Sequence, residues 1–505
     1  MAEWTQECGL YWRPLGGNNI DQISGHSYQY TDICRCNGHL KMTAIIVDIG
    51  KFDNHQALHV KNSAAAVPDL RELLGDGDLT AEAVFLTHSH PDHLNGLVHY
   101  LKAGYHLPPL YGGKYTRMIL EELYQEFGIV ADRRPVFKEI RDGDEVQVGS
   151  LTVEAVAASH TCFDSLGFFI RSSHACVFHS GDVKLDQSTF FRRPTNVKRL
   201  ADYAARTDAV VADFYMISEA GTTPKEVETY RKLAALIGAC RAGKIFVPVY
   251  PTHPEMYICA FLAALKNRRN VVFFGNRDFY TYLGLIVDYG ISFADLAGSR
   301  IKVVYFPNDE LAELDDNYVV IGTFNSLEDY FGEDYNNQFG IVTAKTYFNP
   351  LKGQMNARNI RFTTVDEVPQ LQGFGHGFLG DWEIFNRLLK QPLFIPTHCP
   401  EYVIDNFRDL AKDMGIRLID ETPKNNQVFR ISKKQAVKVA EAPAKWAVVN
   451  YEGELARLTI VPQKATSGDG FLKRTISRRR SRQKFKMYLY KRRQSKRQNH
   501  GSFQV

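Results

Sequence analysis

The sequence lacks any run of about twenty uncharged apolar residues, so we expect no membrane-spanning helix and no membrane partner. Its first ten residues also lack a basic segment followed by an apolar one, which argues against a secretory signal. The eight cysteines include no Cys-x-x-Cys pair. That absence argues against a zinc knuckle and favours reduced thiols. Together these absences predict a cytoplasmic protein.

Acidic residues are missing from the end of the chain, where no Asp or Glu follows Asp469. Between Lys473 and Arg497 there are 13 Lys or Arg, and without them the chain has 48 basic residues against 57 acidic ones, a net charge of −9. An acidic body with a basic arm indicates a polyanionic partner. Aromatic residues lie in or beside this arm, a combination that suits single-stranded nucleic acid: Phe471, Phe485, Tyr488 and Tyr490. The alternatives are a merely solvated tail and a tail that docks on ribosomes.

The length of 505 residues and the 44% hydrophobic content predict two or three domains. Short strands with ligand-type residues at their ends fill the first part of the chain. After about residue 190 strands and helices alternate, which predicts a second α/β unit with a parallel sheet. The Ala- and Lys-rich stretch 433–445 predicts a linker, and 446–461 a small β-like piece. The predicted segments are 1–190, 191–350, 351–432 and 433–505.

Four ligand-type side chains lie within six residues after a predicted strand, in the motif His88-x-His90-x-Asp92-His93. Imidazole and carboxylate groups of this kind suit zinc or a similar borderline ion. His88 and His90 are expected to point to one side of an extended segment. Asp92 and His93 then begin a helix, from which they can face a second ion. A lone His-x-His would carry little weight, but the full motif predicts a metal site.

Four further residues lie at the ends of other predicted strands: Asp48, His160, Asp182 and His398. Each histidine alone could equally be a satisfied polar residue of a loop. A two-metal site needs more ligands than the six-residue motif offers. The order of these residues along the chain therefore favours a shared site.

That order resembles the metallo-β-lactamase superfamily. The stretch His160–Gly167, followed by a strand pair and Ser180-Gly181-Asp182, is similar to ribonuclease J and its β-CASP relatives. The α/β segment between Asp182 and His376 matches the β-CASP domain in size and position. The stretch Phe394–Tyr402 resembles the closing motif of that family. The resemblance spans about Leu15 to Ile431 and leaves out the basic arm.

The resemblance implies an α/β fold, a metallo-β-lactamase αββα sandwich with an inserted β-CASP α/β domain and a basic C-terminal arm. It implies two divalent metal ions, zinc first and manganese as the alternative. The implied ligands are His88, His90 and His160 for one ion, Asp92, His93 and His398 for the other, and Asp182 between them.

The resemblance also assigns three residues that are not expected to bind metal. Asp48 would orient a ligand histidine, a role that such sites generally need. Asp213 matches the acidic motif of the insert. His376 matches the histidine that meets the scissile phosphate. There it would either neutralise a non-bridging oxygen or protonate the leaving group.

The sequence departs from ribonuclease J in its phosphate-binding segments. The Gly-Ser-Gln-Gly-Glu loop of that family stands here as Gly322–Glu328. In the His-Val-Ser-Gly-His segment, Gln372 and Phe374 replace the first His and the Ser. The metal ligands and His376 are retained, so hydrolysis is still expected. We do not expect a 5′-monophosphate pocket, or the processive 5′-exonuclease action that depends on it.

These patterns predict a metal-dependent phosphodiesterase, a ribonuclease J-like RNA nuclease that uses hydroxide activated by two metals. A lactonase or thioesterase of the same core fold would use the same metals, but the large insert and the basic arm argue against it. A non-catalytic RNA-binding scaffold would typically have lost a ligand. RNA is the expected substrate, with DNA as the alternative. Endo or exo action stays open, and a homodimer is compatible with the sequence.

Overall fold

The computed structural model describes residues 3–18, 24–52, 65–75, 79–305, 314, 317–323, 338–342, 353, 355–356, 360–371, 373–442, 445–452 and 455–462. The strands are β1 (Gly9–Gly16), β2 (Ser27–Cys36), β3 (His39–Val47), β4 (Ala65–Pro68), β5 (Ala81–Phe85), β6 (Leu110–Gly112), β7 (Phe137–Glu139), β8 (Glu145–Val148), β9 (Leu151–Ala157), β10 (Leu166–Arg171), β11 (Cys176–His179), β12 (Ala209–Asp213), β13 (Lys244–Pro248), β14 (Asn270–Phe274), β15 (Val303–Tyr305), β16 (Tyr318–Gly322), β17 (Gln338–Val342), β18 (Arg361–Thr364), β19 (Leu393–Thr397), β20 (Arg417–Leu418), β21 (Gln427–Ser432), β22 (Gln435–Glu441), β23 (Lys445–Glu452) and β24 (Leu455–Pro462). The α-helices are α1 (Arg71–Leu74), α2 (Pro91–Leu94), α3 (Gly96–Lys102), α4 (Lys114–Glu126), α5 (Val197–Tyr203), α6 (Glu226–Ala239), α7 (Pro254–Lys266), α8 (Arg277–Tyr289), α9 (Phe293–Ala297), α10 (Leu379–Leu388) and α11 (Glu401–Met414). Short 3₁₀ helices cover Glu3–Gln6, Ala131–Arg133, Gly298–Arg300 and Pro369–Leu371. Among the described residues, no helix is both long and apolar enough to cross a membrane.

Two sheets pack face to face. Their strand orders are β22-β21-β1-β2-β3-β5-β6-β7 and β20-β19-β12-β11-β10-β9-β8. Alternation along the strands fills both faces with apolar side chains. In β10, Phe168 and Ile170 lie in the core between the sheets, while Phe169 faces outward. Helices α3 and α4 cover the outer face of the first sheet, and α10 and α11 cover that of the second. The predicted αββα sandwich is confirmed.

The insert contains a parallel sheet with the order β15-β14-β16-β13-β17-β18. Its strands run from residue 244 to residue 364, whereas the predicted segment was 191–350. Strand β12 lies within that predicted segment but pairs with β11 and β19 of the sandwich. Strand β18 lies beyond it but pairs with β17. Strand–helix alternation locates strands along a chain without identifying their partners, which explains both differences.

The linker predicted at 433–445 is wrong. Strand β22 pairs antiparallel with β21 at the edge of the first sheet. The inward residue Ala436 packs against the core between the sheets. Because alanine is small and only weakly apolar, the alternation of apolar and polar residues that marks a strand is hard to see in this part of the sequence. The hairpin β23–β24 then adds to β4 near the start of the chain. The basic arm, residues 324–328 and Gln372 lie outside the described residues.

Candidate metal centre

The candidate site lies at one edge of the sandwich, where several strands end. Strands β3 and β5 are parallel, as are β11, β12 and β19, so their carboxyl ends share an edge. The ends of these strands and the loops after them and after β9 carry all the predicted residues except His376, as such an edge commonly does. His376 lies between β18 and α10. The structure brings together every predicted site residue: Asp48, His88, His90, Asp92, His93, His160, Asp182, Asp213, His376 and His398.

The ligand motif is held by backbone hydrogen bonds to other loops. The single helix predicted to begin at Asp92 and His93 is in fact two helices, α2 and α3, which are separated at Asn95. The carbonyl of Asp92 accepts from the amide of His26 at 2.7 Å, and that of His93 accepts from Ile49 at 2.9 Å. These two carbonyls accept hydrogen bonds from neighbouring loops, which fixes the motif, and not from the next turn of a continuous helix.

Asp182 lies at the centre of the site. Its Oδ2 is 3.3 Å from His93 Nε2 and 3.8 Å from both His88 Nε2 and His160 Nε2. Its Oδ1 is 3.3 Å from His398 Nδ1. Asp182 thus has imidazoles on both sides, so a cation held by these imidazoles would lie beside its carboxylate. Asp92 lies at the edge of this group, with its Oδ2 4.0 Å from His93 Nε2.

The ring nitrogens of three histidines have a consistent arrangement. In each ring Nδ1 lies near a protein oxygen: Asp48 Oδ2 at 2.8 Å for His93, Thr87 Oγ1 at 3.0 Å for His88 and Gly375 O at 2.8 Å for His160. Such partners can accept the Nδ1–H of each ring, and Nε2 is then the nitrogen that can bind a metal. Within the described part of the chain, Nε2 of His88 and Nε2 of His93 are buried without a hydrogen-bond partner. A cation would satisfy them, so the donor set fits metal ions.

His90 completes the same side of the site. Its Nδ1 lies 3.0 Å from His160 Nε2. Two imidazole nitrogens that bind the same zinc ion, each at about 2.0–2.1 Å, would have a similar spacing. Burial lowers the pKa of His88, His90 and His160 well below the usual value. These rings are therefore neutral, which is the form that binds metal.

The central carboxylate is ionised despite its burial. Burial alone would raise the pKa of Asp182, but the nearby rings of His93, His398 and His376 outweigh it. The pKa is therefore held well below the usual value, and Asp182 offers negative charge to cations at neutral pH.

A second pair of residues lies beside this group. His376 Nδ1 is 2.7 Å from Asp213 Oδ2 and 3.7 Å from Asp182 Oδ2. The side chain of His376 is 17% exposed, whereas Asp213 is buried. Tyr215 packs on the rings of His376 and His398, each at 4.7 Å, and is 42% exposed. The pair and the tyrosine thus lie where the site opens to solvent.

Two histidines of the site were missed by the sequence analysis. His26 precedes β2 and lies 4.2 Å, ring to ring, from both His93 and His398. His253 precedes α7 in the insert and lies 5.2 Å from the ring of His90. Neither has a local motif. Because β2 runs antiparallel to β3, its start lies at the same edge as the end of β3, but this pairing is not evident from the sequence.

Of the two replacements in the His-Val-Ser-Gly-His segment, Phe374 lies among the described residues and Gln372 does not. Phe374 is buried, with 8% of its surface exposed, and packs edge-on against Phe378 at 5.0 Å. An apolar ring in this position offers no hydrogen bond to a phosphate.

A family model described as the beta-lactamase superfamily domain matches residues 66–216. Ribonuclease J of Thermus thermophilus is 25% identical over 389 residues, which cover 72% of this chain and 66% of that protein. Ribonuclease J of Mycobacterium tuberculosis is 29% identical over 235 residues, covering 46% of this chain and 40% of that protein. Ribonuclease J of Helicobacter pylori is 23% identical, covering 74% of this chain and 55% of that protein. The matches thus span 40% to 66% of these relatives.

Among solved structures, a protein of unknown function from Enterococcus faecalis V583 matches with a TM-score of 0.56 and 16% identity. The match covers 86% of this chain and 100% of that one. At this identity the likeness concerns the fold alone.

Proposed function

Because the chain has the metallo-β-lactamase fold and is similar to ribonuclease J along most of its length, as its motifs predicted, we propose that it is a metal-dependent hydrolase that cleaves phosphodiester bonds in RNA. The observation that carries this proposal is the ring of buried imidazoles around Asp182, with the pair His376–Asp213 at its open side.

The proposed ligands are His88, His90 and His160 for one ion, Asp92, His93 and His398 for the other, and Asp182 for both. Two divalent ions in such a centre acidify water enough to supply a nucleophile at neutral pH and withdraw charge from a phosphate. The nitrogen-rich set favours zinc, with manganese as the alternative. Asp48 fixes the ring of His93 by accepting its Nδ1–H at 2.8 Å.

His376 acts on the substrate in this proposal. Its Nδ1–H donates to Asp213, which fixes the ring and leaves Nε2 as the nitrogen that can meet a phosphoryl or leaving oxygen. When the ring carries a proton on both nitrogens, Nε2–H can either donate a hydrogen bond to a phosphoryl oxygen or pass its proton to the departing oxygen, which leaves the ring neutral.

Two features favour a nucleic acid over a small ester. The exposed ring of Tyr215 lies beside the centre, where a nucleobase could stack on it. The 13 cations between Lys473 and Arg497 would attract a phosphate backbone. A lactonase or thioesterase would use the same metal ligands but has no need of either feature.

The test uses purified protein loaded with zinc or manganese on end-labelled RNA and DNA, with lactone and thioester substrates in parallel. Cleavage of RNA with little turnover of the esters is expected. His90→Ala should lose metal and activity, whereas the control His39→Ala, which changes an exposed histidine, should retain both. Efficient ester turnover without RNA cleavage would contradict the proposal. So would full activity of His90→Ala, or full activity of the wild type in excess chelator.

A further inference from the structure

We propose that His26 is an additional ligand of the ion assigned to Asp92, His93 and His398, and this inference rests on the proposed metal binding. The ring of His26 stacks on that of His93 at 4.2 Å with an angle of 18° and meets that of His398 edge-on at 4.2 Å. Its Nε2 lies 3.7 Å from Asp92 Oδ2. His26 is 1% exposed, and it therefore lies inside the group formed by the three assigned ligands.

One ring nitrogen of His26 is already used within the protein. Its Nδ1 is hydrogen-bonded to the hydroxyl of Tyr28 at 2.8 Å. Nε2 is therefore the ring nitrogen that is available to a metal ion.

Among the described residues, Nε2 of His26 is buried without a hydrogen-bond partner, as are those of His88 and His93. An unpaired buried polar atom is costly. The nearby Oδ2 of Asp92, at 3.7 Å, is too far for a hydrogen bond. A cation between the two groups would contact both.

The backbone presets this position. The amide of His26 donates to the carbonyl of Asp92 at 2.7 Å, and its carbonyl accepts from Gly50 at 2.9 Å. Gly25, directly before it, has a φ of 71°, a conformation that glycine adopts readily. His26 is therefore tied to the same loop that carries Asp92, and the two groups are placed together.

A third imidazole changes the metal preference of this position. With His26, the second ion would have three nitrogen ligands beside the carboxylates of Asp92 and Asp182. Added nitrogen ligands favour zinc and cobalt over manganese. His26 would thus help to retain zinc at the second position under chelating conditions.

The experiment titrates zinc from the full-length protein with a competing chelator and compares wild type with His26→Ala and His26→Gln. His39→Ala serves as the control. One zinc should bind at least about tenfold more weakly in both His26 variants, with the other unchanged. The ratio of zinc to manganese affinity should fall as well. Tyr28→Phe, which removes only the hydrogen-bond partner of His26 Nδ1, should give a smaller loss.

A second measurement needs no variant. In zinc-loaded wild type with ¹⁵N-labelled histidine, His26 Nε2 should give a zinc-bound signal in addition to the signals of the five assigned ligand histidines. Two zinc affinities unchanged in the His26 variants, or zinc-bound signals from the five assigned histidines alone, would overturn the role of His26. Failure of wild type to bind two ions would instead overturn the proposed function.

Discussion

His376 Nδ1 lies 2.7 Å from Asp213 Oδ2 although the two residues are 163 positions apart. Asp213 ends a strand of the sandwich, and His376 follows the last strand of the insert. The insert sheet lies between them in sequence, so its folding brings this pair together beside the metal ligands.

Replacing His376 by Ala should lower kcat for RNA cleavage by about 10²- to 10⁴-fold, the usual range for loss of a general acid. Metal content should change little, because the predicted ligands remain. Asp213→Asn should give a smaller loss, since the ring keeps a polar neighbour. Single-turnover rates measure the loss of cleavage, and elemental analysis of the same samples measures the metal content. Loss of metal from His376→Ala would show that the histidine is itself a ligand.

Replacing Tyr215 by Ala should weaken binding of single-stranded RNA, because stacking of one base on an aromatic ring contributes about 1–3 kcal/mol. Tyr215→Phe keeps the ring and should bind nearly as wild type does. Affinity measured for both variants at one salt concentration separates the ring from the hydroxyl. Equal affinity of the Ala variant would exclude stacking at this residue.

Substrates with 5′-hydroxyl and 5′-monophosphate ends should be cleaved at similar rates. The buried ring of Phe374 packs on Phe378 and cannot donate a hydrogen bond to a terminal phosphate. The ratio of the two initial rates on otherwise identical RNA is the measurement. A strong preference for the monophosphate would show that other residues form the pocket.

A buried ionic network joins the insert to the sandwich. Arg192 contacts Glu226 at 2.8 Å and Glu255 at 2.6 Å, and Lys184 contacts Glu255 at 2.8 Å. Asp186 lies 3.8 Å from Lys184. Three carboxylates thus face two cations. Burial and the neighbouring Glu255 raise the pKa of Glu226 to about 7, although Arg192 lowers it.

This raised pKa predicts a pH dependence of stability. The folded state holds the proton of Glu226 more tightly than the unfolded chain, whose value is near 4.5. The stabilising contribution is therefore complete below pH 4.5 and is lost as the pH rises through about 7. Glu226→Gln removes this titration. The free energy of unfolding of Glu226→Gln, relative to that of the wild type, should rise by on the order of 3 kcal/mol as the pH is raised from about 4.5 to about 7. A difference that does not change with pH would refute the prediction.

Truncation after Pro462 removes the basic arm but keeps the hairpin β23–β24. Metal content and single-turnover cleavage at saturating enzyme should be nearly unchanged. RNA binding should weaken, and the dependence of log affinity on log salt should flatten, because fewer counterions are released. An unchanged salt slope would favour a ribosome or another acidic partner for the arm.

The sequence was sufficient to predict that His88, His90 and His93 lie together, because they fall within six residues at the end of an apolar strand. The sequence predicted the αββα sandwich only through its resemblance to a family, because the alternation within a strand does not identify its neighbours in a sheet. It was not sufficient for His26, which lies 66 residues before Asp92 and contacts it only through strand pairing and loop hydrogen bonds. The sheet partners of β12 and β18 could not be predicted for the same reason, because partners of parallel strands are distant in sequence.

The pairing of β23 with β4 has a consequence for how substrate reaches the centre. It anchors the start of the basic arm on the sandwich, and the chain from Pro462 to Lys473 can extend at most about 40 Å from that anchor. If the arm binds RNA as proposed, a bound strand would stay tethered to the protein. Its encounter with the centre would then be intramolecular and governed by a local concentration that the tether length sets.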